Sequence, residues 1–345
     1  MLKLDANEAI LFTDYYSRLY FSDFKSSDGY FLITPKEKYL LVDFRYFEAA
    51  KKLTNGVIPI LTDGKPYKII KELLQKNNIK RVGLNKKELT LYGYDKITTA
   101  LLGYDFYDVT TDVENEKIVK TAKEIACIKT AQSITDRAFE HILSYIKPGV
   151  CETDIVAELE YFMKKNKSTA LAFDTIALTG AKTAMCHGIP DDTKIQNHSF
   201  FLLDFGAVFG NYCSDMTRTV AVGSITSEMK RVYDIVLEAN NLCEKAIKAG
   251  VLGSDIDGIA RDFISKSGYE GKFGHSLGHG LGMRCHELPN FSPNYKKHIP
   301  KDSVLSVEPG IYLEGEFGVR IEDLVVVTES GIENLTKTPK QLIIL

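Results

Sequence analysis

The 345-residue chain is predicted to be an α+β protein whose larger C-terminal part is a duplicated helix–helix–hairpin unit, preceded by a smaller α/β domain. Three observations predict this. Residues 1–112 alternate short apolar strands with helical runs. The segment IKPGVCETDI (146–155) recurs as IKAGVLGSDI (247–256), an offset of 101 (247 − 146). Each copy is followed by an apolar hairpin carrying two acids, and sequence self-similarity of this kind marks a duplicated supersecondary unit. The expected domains are therefore 1–112 and 113–345.

In the first domain, YFLIT (30–34), YLLVDF (39–44), VIPILT (57–62), RVGL (81–84) and YDFYDV (104–109) have strand character. PYKIIKELLQKNN (66–78) and KELTLYGYDKITTALL (87–102) have helical periodicity. This alternation gives βα units. No glycine loop for phosphate and no catalytic constellation occurs there, so the domain is read as a lid, a specificity wall or an oligomer contact. A single helical run from about Glu114 to Ile146, stopped at Lys147-Pro148-Gly149, opens the second domain. In the two repeat copies, Thr153 and Ser254 are the expected N-caps of the helices that follow.

A hydrophobic content of 44% allows a sizeable core, and a net charge of −3 gives no reason to expect nucleic acid or an anionic membrane as partner. The start, MLKLDANEAILF, lacks a basic stretch followed by an apolar run, and no segment has the roughly 18 apolar residues of a membrane span. Six cysteines without a CxxC pair (127, 151, 186, 213, 243, 285) read as reduced thiols and point to the cytoplasm. Cys186, Cys213 and Cys285 lie beside candidate site residues. Packing is the plainer role for them and redox regulation the other.

The first hairpin, FLLDFGAVFGNYCSDMTRTV, carries Asp204 and Asp215, and the second, LSVEPGIYLEGEFGVRIEDLVVV, carries Glu308 and Glu322. Directly opposed hairpin residues share an index sum. Pairing Asp204 with Asp215 gives 419, a turn at Phe209-Gly210; pairing Glu308 with Glu322 gives 630, a turn at Gly315. Opposed side chains have Cβ atoms about 4.5–5.5 Å apart, so each acid pair would repel without a cation between them. The flanking apolar runs imply burial, and a buried charge must be paired or bound to metal. Four carboxylates balance two divalent ions. Salt-bridged surface acids would account for either pair alone. Two pairs in repeated units, with a histidine–glycine loop between them, argue against that.

That loop, FGHSLGHGLG, holds His275 and His279; its glycines oppose a helical HxxxH zinc pair, and His279 is the reasonable single nitrogen ligand. His187 (AMCHGIP) and His286 (CHELP) are read as substrate-binding or proton-transferring groups. Arg320, two residues before Glu322, shares its strand face and could orient the carboxylate or bind an anion. His141, His198 and His298 are given no role.

Together AMCHGIP, LLDFGAVFGNYCSDMTRTV, FGHSLGHGLGMRCHELP, SVEPGIY and GVRIEDLVVVT resemble the M24 pita-bread metallopeptidases, in the branch of aminopeptidase P and prolidase. The resemblance covers about 113–345 and also suits the small N-terminal domain. It implies a pita-bread fold and five metal ligands, Asp204, Asp215, His279, Glu308 and Glu322, with none missing. His187 and His286 fall on the family's substrate-binding and catalytic histidines, Arg320 on its arginine, and His275 on a histidine behind the ligands. Cys186 departs from the residue usual before the first histidine. The implied activity is attack of a metal-activated water on the carbonyl before a proline. His286 would stabilise the oxyanion, and Glu308 would carry the proton to the leaving nitrogen. Two divalent ions per chain are implied, Mn²⁺ foremost with Co²⁺ or Zn²⁺ as alternatives. The expected function is an Xaa-Pro aminopeptidase acting on small peptides with proline second. The alternative is a prolidase restricted to Xaa-Pro dipeptides, and a non-catalytic binding protein stands further off. A cytoplasmic homodimer completes the expectation.

Overall fold

The computed structural model describes residues 2–345. The chain divides into two compact units, Met1–Glu116 and Lys117–Leu345. The helix Thr110–Ile118 runs through the 112/113 boundary expected from the sequence.

The first unit is a six-stranded sheet in the order Ile58–Leu61, Lys38–Val42, Tyr30–Ile33, Glu8–Phe12, Arg81–Leu84, Asp105–Asp108. Glu8–Phe12 pairs antiparallel with Tyr30–Ile33 and parallel with Arg81–Leu84. Side chains alternate across a strand. Ala9 and Leu11 therefore enter one core, with Leu32, Leu41, Ile70, Leu74 and Ile97, while Ile10 and Phe12 enter a second core on the other face, with Phe31, Leu40, Val42 and Val109. Each such buried Leu, Ile, Val or Phe side chain stabilises by about 1.5–3 kcal/mol. The five expected strands and two expected helices are present, Arg81–Leu84 with the expected bounds and the others with bounds moved by a few residues, among them Pro66–Lys76 and Leu91–Ala100. YLLVDF ends as a strand at Val42, because the Asp43 carboxylate accepts from Arg45 N at 2.9 Å and starts the helix Phe44–Leu53.

The second unit contains the duplication. Helices Ala122–Ile142 and Glu152–Lys165 precede the strands Ser199–Phe205 and Met216–Val222; helices Ser227–Ala246 and Gly253–Ile264 precede Val304–Val307 and Asp323–Val327. The run expected from Glu114 to Ile146 is broken after Ile118 and restarts at Ala122. There Thr121 forms a capping box with Glu124. Thr153 and Ser254 are not N-caps. The helices begin at Glu152 and Gly253, one residue earlier, after Cys151 and Leu252.

Strand alternation decides where the acids go. Phe201, Leu203 and Phe205 pack with Phe139, Ile155 and Leu159 of the first helix pair. Leu305 and Val307 pack with Val232, Val236 and Ala260 of the second. Asp204 and Glu308 are one residue out of phase with those sets, so they project from the opposite faces, away from the helices. The faces meet each other: Glu322 N donates to Thr217 O at 3.1 Å, and Thr219 Oγ1 donates to Arg320 O at 3.0 Å.

Register corrects one expectation. Thr217 pairs with Asp204, and Tyr212 with Phe209, so the first hairpin runs on a sum of 421 rather than 419. Its turn is Gly210-Asn211, both at positive φ. Asp215 therefore stands across from Gly206, where a Cβ would come within 2.0 Å of Ser214 O. The second hairpin keeps the expected sum of 630: Val307 pairs with Asp323 and Gly310 with Arg320, which leaves Glu308 across from Glu322, with Gly315 at φ +77° in the turn.

Candidate metal centre

Asp204 comes from the end of Ser199–Phe205, Asp215 from the residue before Met216–Val222, Glu308 from the residue after Val304–Val307, and Glu322 from the residue before Asp323–Val327. His279 is the middle of the three-residue strand Gly278–Gly280, between Glu287–Phe291 and Val304–Val307. Its glycine neighbour is forced by close packing, since a Cβ on Gly278 would come within 2.0 Å of Ser306 O.

These five residues converge. His279 Nε2 is 3.3 Å from Glu308 Oε1 and 3.6 Å from Asp215 Oδ2. Ligand atoms of Asp215, His279 and Glu322 lie within 4.8 Å of one another. The Nδ1–H of His279 donates to Gly280 O at 3.2 Å, which leaves Nε2 with its lone pair toward the carboxylates. Ser306 Oγ accepts from His279 N at 3.0 Å and donates to Glu308 Oε1 at 2.9 Å, tying two of the five together.

Electrostatically, the four carboxylates outnumber the cation that touches them, the Arg320 guanidinium on Asp204. Asp215 is 4% exposed and Glu322 is 1% exposed. Burial, then the charges of Asp204 and Glu308, hold the Asp215 carboxyl well above its ordinary range; burial, then the charge of Asp215, does the same to Glu322. Burial pushes Glu308 up to about 7. Burial also lowers His279, keeping its ring neutral as a ligand requires. Asp204 Oδ1 and Glu322 Oε1 are buried without a hydrogen-bond partner. Buried acceptors left unpaired are rare and costly. Crowded like charges, a neutral imidazole and two orphan oxygens fit a pair of divalent cations.

Arg320, 3% exposed, is committed to this centre. Its Nη2 donates to Asp204 Oδ2 at 2.6 Å, its Nε to Thr217 Oγ1 at 3.0 Å and its Nη1 to Tyr312 OH at 3.0 Å. Thr217 Oγ1 in turn donates to Glu322 Oε2 at 2.7 Å. Tyr312 OH donates to His275 Nε2 at 2.8 Å, and the His275 Nδ1–H donates to Ser276 O at 2.8 Å. Burial, then the Arg320 charge, holds His275 down to about 4, so it stays neutral and accepts. Of the two roles weighed for Arg320, orienting a carboxylate is the one its contacts serve.

His286 is exposed and lies against His279, with ring centroids 3.9 Å apart and the rings tilted by 33°. His187 is exposed on the loop after the turn Gly180–Ala184. That loop is held by Glu152, which accepts from Thr179 N at 2.8 Å, from Asp191 N at 3.2 Å and from Lys182 Nζ. Thr217, Ser306 and Tyr312 have no role in the reading of the sequence. Thr217 lies two residues from Asp215, Ser306 two from Glu308, and Tyr312 two from Gly310, the partner of Arg320, but ordinary strand residues share that spacing and it does not by itself single them out.

Duplicated halves that bring four carboxylates to one imidazole are the makings of a metal-dependent hydrolase. Residues 126–329 match the model of Metallopeptidase family M24, and residues 3–118 match that of the Creatinase/Prolidase N-terminal domain. The chain belongs to metallopeptidase family M24. It is similar to an Xaa-Pro dipeptidase of Pyrococcus horikoshii, 36% identical over 91% of this chain and 88% of that one. The structure of Xaa-Pro dipeptidase from Bacillus anthracis matches with a TM-score of 0.95 and 40% identity, over 98% of this chain and 95% of that one. That of X-Pro aminopeptidase from Thermotoga maritima matches with a TM-score of 0.94 and 37% identity, over 98% and 97%. Among the described residues, no helix is long and apolar enough to cross a membrane.

Proposed function

We propose that the chain is a dinuclear-metal Xaa-Pro dipeptidase. The carrying observation is the convergence of Asp204, Asp215, His279, Glu308 and Glu322, in a chain similar over nearly its whole length to a protein named Xaa-Pro dipeptidase. The aminopeptidase expected from the sequence becomes the second reading, favoured by the likeness to the Thermotoga maritima X-Pro aminopeptidase.

The five residues would hold two divalent ions, which supply acidification of a water and polarisation of the scissile carbonyl. An oxygen-dominated set with one imidazole suits Mn²⁺. Arg320 fixes the Asp204 carboxylate, and Thr217 fixes that of Glu322, so the ligands are oriented before any ion arrives. Glu308, held by Ser306, takes the proton of the attacking water and delivers it to the leaving imino nitrogen. His286, open to solvent beside His279, donates to the developing oxyanion. His187 holds the substrate from its clamped loop. Rates on Xaa-Pro and on Xaa-Pro-Yaa-Zaa decide the substrate. The proposal expects kcat/KM to favour the dipeptide; preference for the longer peptide would replace it with the aminopeptidase. A homodimer is part of the proposal and is checked by sedimentation.

A further inference from the structure

Cys285 sits inside the centre with no part in that scheme. Its thiol is buried and donates to Asp215 Oδ2 at 3.1 Å. Ligand atoms of His279, Cys285 and His286 lie within 4.8 Å of one another. His279 Nε2 is 3.6 Å from the same Asp215 oxygen. One sulfur and two ring nitrogens thus converge, and the Asp215 oxygen lies beside the sulfur and one of those nitrogens.

That donor set is the kind a thiophilic ion takes in four-coordinate geometry. Bonds of about 2.3 Å to sulfur and about 2.0 Å to nitrogen or oxygen put the donors around one tetrahedral ion roughly 3.3–3.5 Å apart. The two separations that involve Asp215 Oδ2, 3.1 and 3.6 Å, need only a few tenths of an ångström of adjustment. An independent observation points the same way. Glu322, buried and with Oε1 unpartnered, has a ligand atom within 4.8 Å of those of Asp215 and His279, which leaves an unsatisfied buried acceptor beside two of the donors.

We propose that Cys285 is a metal ligand, and that with Asp215, His279 and His286 it forms a site for a thiophilic divalent ion such as Zn²⁺ or Cd²⁺. The site shares Asp215 and His279 with the oxygen-rich centre, so the inference rests on the reading of those two as ligands. Hard ions such as Mn²⁺ use the carboxylates and leave the thiol donating to Asp215. A thiophilic ion displaces the thiol proton to solvent, takes the sulfur, and draws His279 and Asp215 out of the arrangement proposed for hydrolysis. Excess zinc would then occupy the centre in a form different from manganese.

The test is the absorption spectrum of metal-free protein titrated with Co²⁺. A thiolate bound to cobalt gives a near-ultraviolet charge-transfer band, separate from the visible ligand-field bands that any bound cobalt gives. The expected result is both sets of bands in the wild-type chain, loss of the sulfur band alone in Cys285→Ser, and its retention in Cys213→Ser. Zn²⁺ should bleach the sulfur band at equimolar amounts and Mn²⁺ should not. Ligand-field bands without a sulfur band at any loading, or a sulfur band that survives in Cys285→Ser, overturn the proposal and leave the Asp215–His279 centre standing. Absence of every cobalt band overturns both.

Discussion

Replacing Thr217 by valine removes one hydroxyl and keeps the shape of the side chain. In the structure that hydroxyl is fully buried, accepts from Arg320 Nε at 3.0 Å and donates to Glu322 Oε2 at 2.7 Å. It bridges the Arg320 guanidinium, which holds Asp204, and the Glu322 carboxylate. A hydrogen bond to a charged group contributes about 1.5–3 kcal/mol, and removing it also leaves the partners buried without it. Since every 1.4 kcal/mol is about tenfold in an equilibrium constant, the loss corresponds to roughly 10–100-fold in metal affinity. Isothermal titration of metal-free protein with Mn²⁺ measures this directly, and circular dichroism checks that the variant is folded. Thr217→Val should bind Mn²⁺ at least about tenfold more weakly, with kcat/KM reduced in parallel at subsaturating metal. Affinity within twofold of wild type in a folded variant would refute the idea that this hydroxyl pre-orients Glu322.

Metal analysis should find two divalent ions per chain at saturation, and fewer in His279→Ala and Glu322→Gln; full activity in either variant would remove that residue from the ligand set. Glu152→Ala strips the Thr179 and Asp191 amides of their buried acceptor, so thermal unfolding should show a loss on the order of 1–3 kcal/mol. Its KM should rise, because the same carboxylate closes the loop that carries His187; an unchanged KM would separate the loop from substrate binding. His275 is held neutral down to about 4, whereas the unfolded chain takes up that proton near 6.5. The stability that neutral His275 contributes to the metal-free protein should therefore be lost as pH drops from 6.5 toward 4, so the stability of wild type relative to His275→Gln should decline over that range. Equal slopes in urea unfolding at pH 7, 6, 5 and 4 would count against it.

The fold was legible where composition and periodicity carry it. The repeat at Ile146 and Ile247 announced two equivalent halves because both copies need the same Gly stop before a helix; Gly149 and Gly250 are both at positive φ. The strand Glu8–Phe12 was missed although AILF is apolar. It is a central strand buried on both faces, and such a run has no alternation to separate it from a helix segment. The break at Val119-Lys120-Thr121 was missed because its signal is one capping threonine inside charged helix-formers, which periodicity smooths over. The five proposed ligands could be picked out because each interrupts an apolar strand or a glycine loop. Their supports could not: Thr217, Ser306 and Tyr312 are ordinary strand residues, and what singles them out is the residue across the gap, which is long-range in sequence.

The register of the first hairpin shows why a mistaken pairing still led to the right neighbourhood. Sums of 419 and 421 differ by a slip of two, and side chains on a strand alternate with period two. Asp215 therefore stays on the face of Asp204 although Thr217 is the residue that opposes it. A slip of one would have turned Asp215 toward Phe139 and Leu159, into an apolar core where a carboxylate could find neither cation nor partner. The slip of two also has a chemical consequence. It puts a hydroxyl, rather than a second carboxylate, directly across from Asp204, and Arg320 reaches both that hydroxyl and Asp204. The first hairpin thus supplies its two acids staggered by two pairs along the ladder, whereas the second supplies Glu308 and Glu322 abreast. Two equivalent halves become an unsymmetrical centre, in which only the second acid pair is arranged to hold one ion between directly opposed carboxylates.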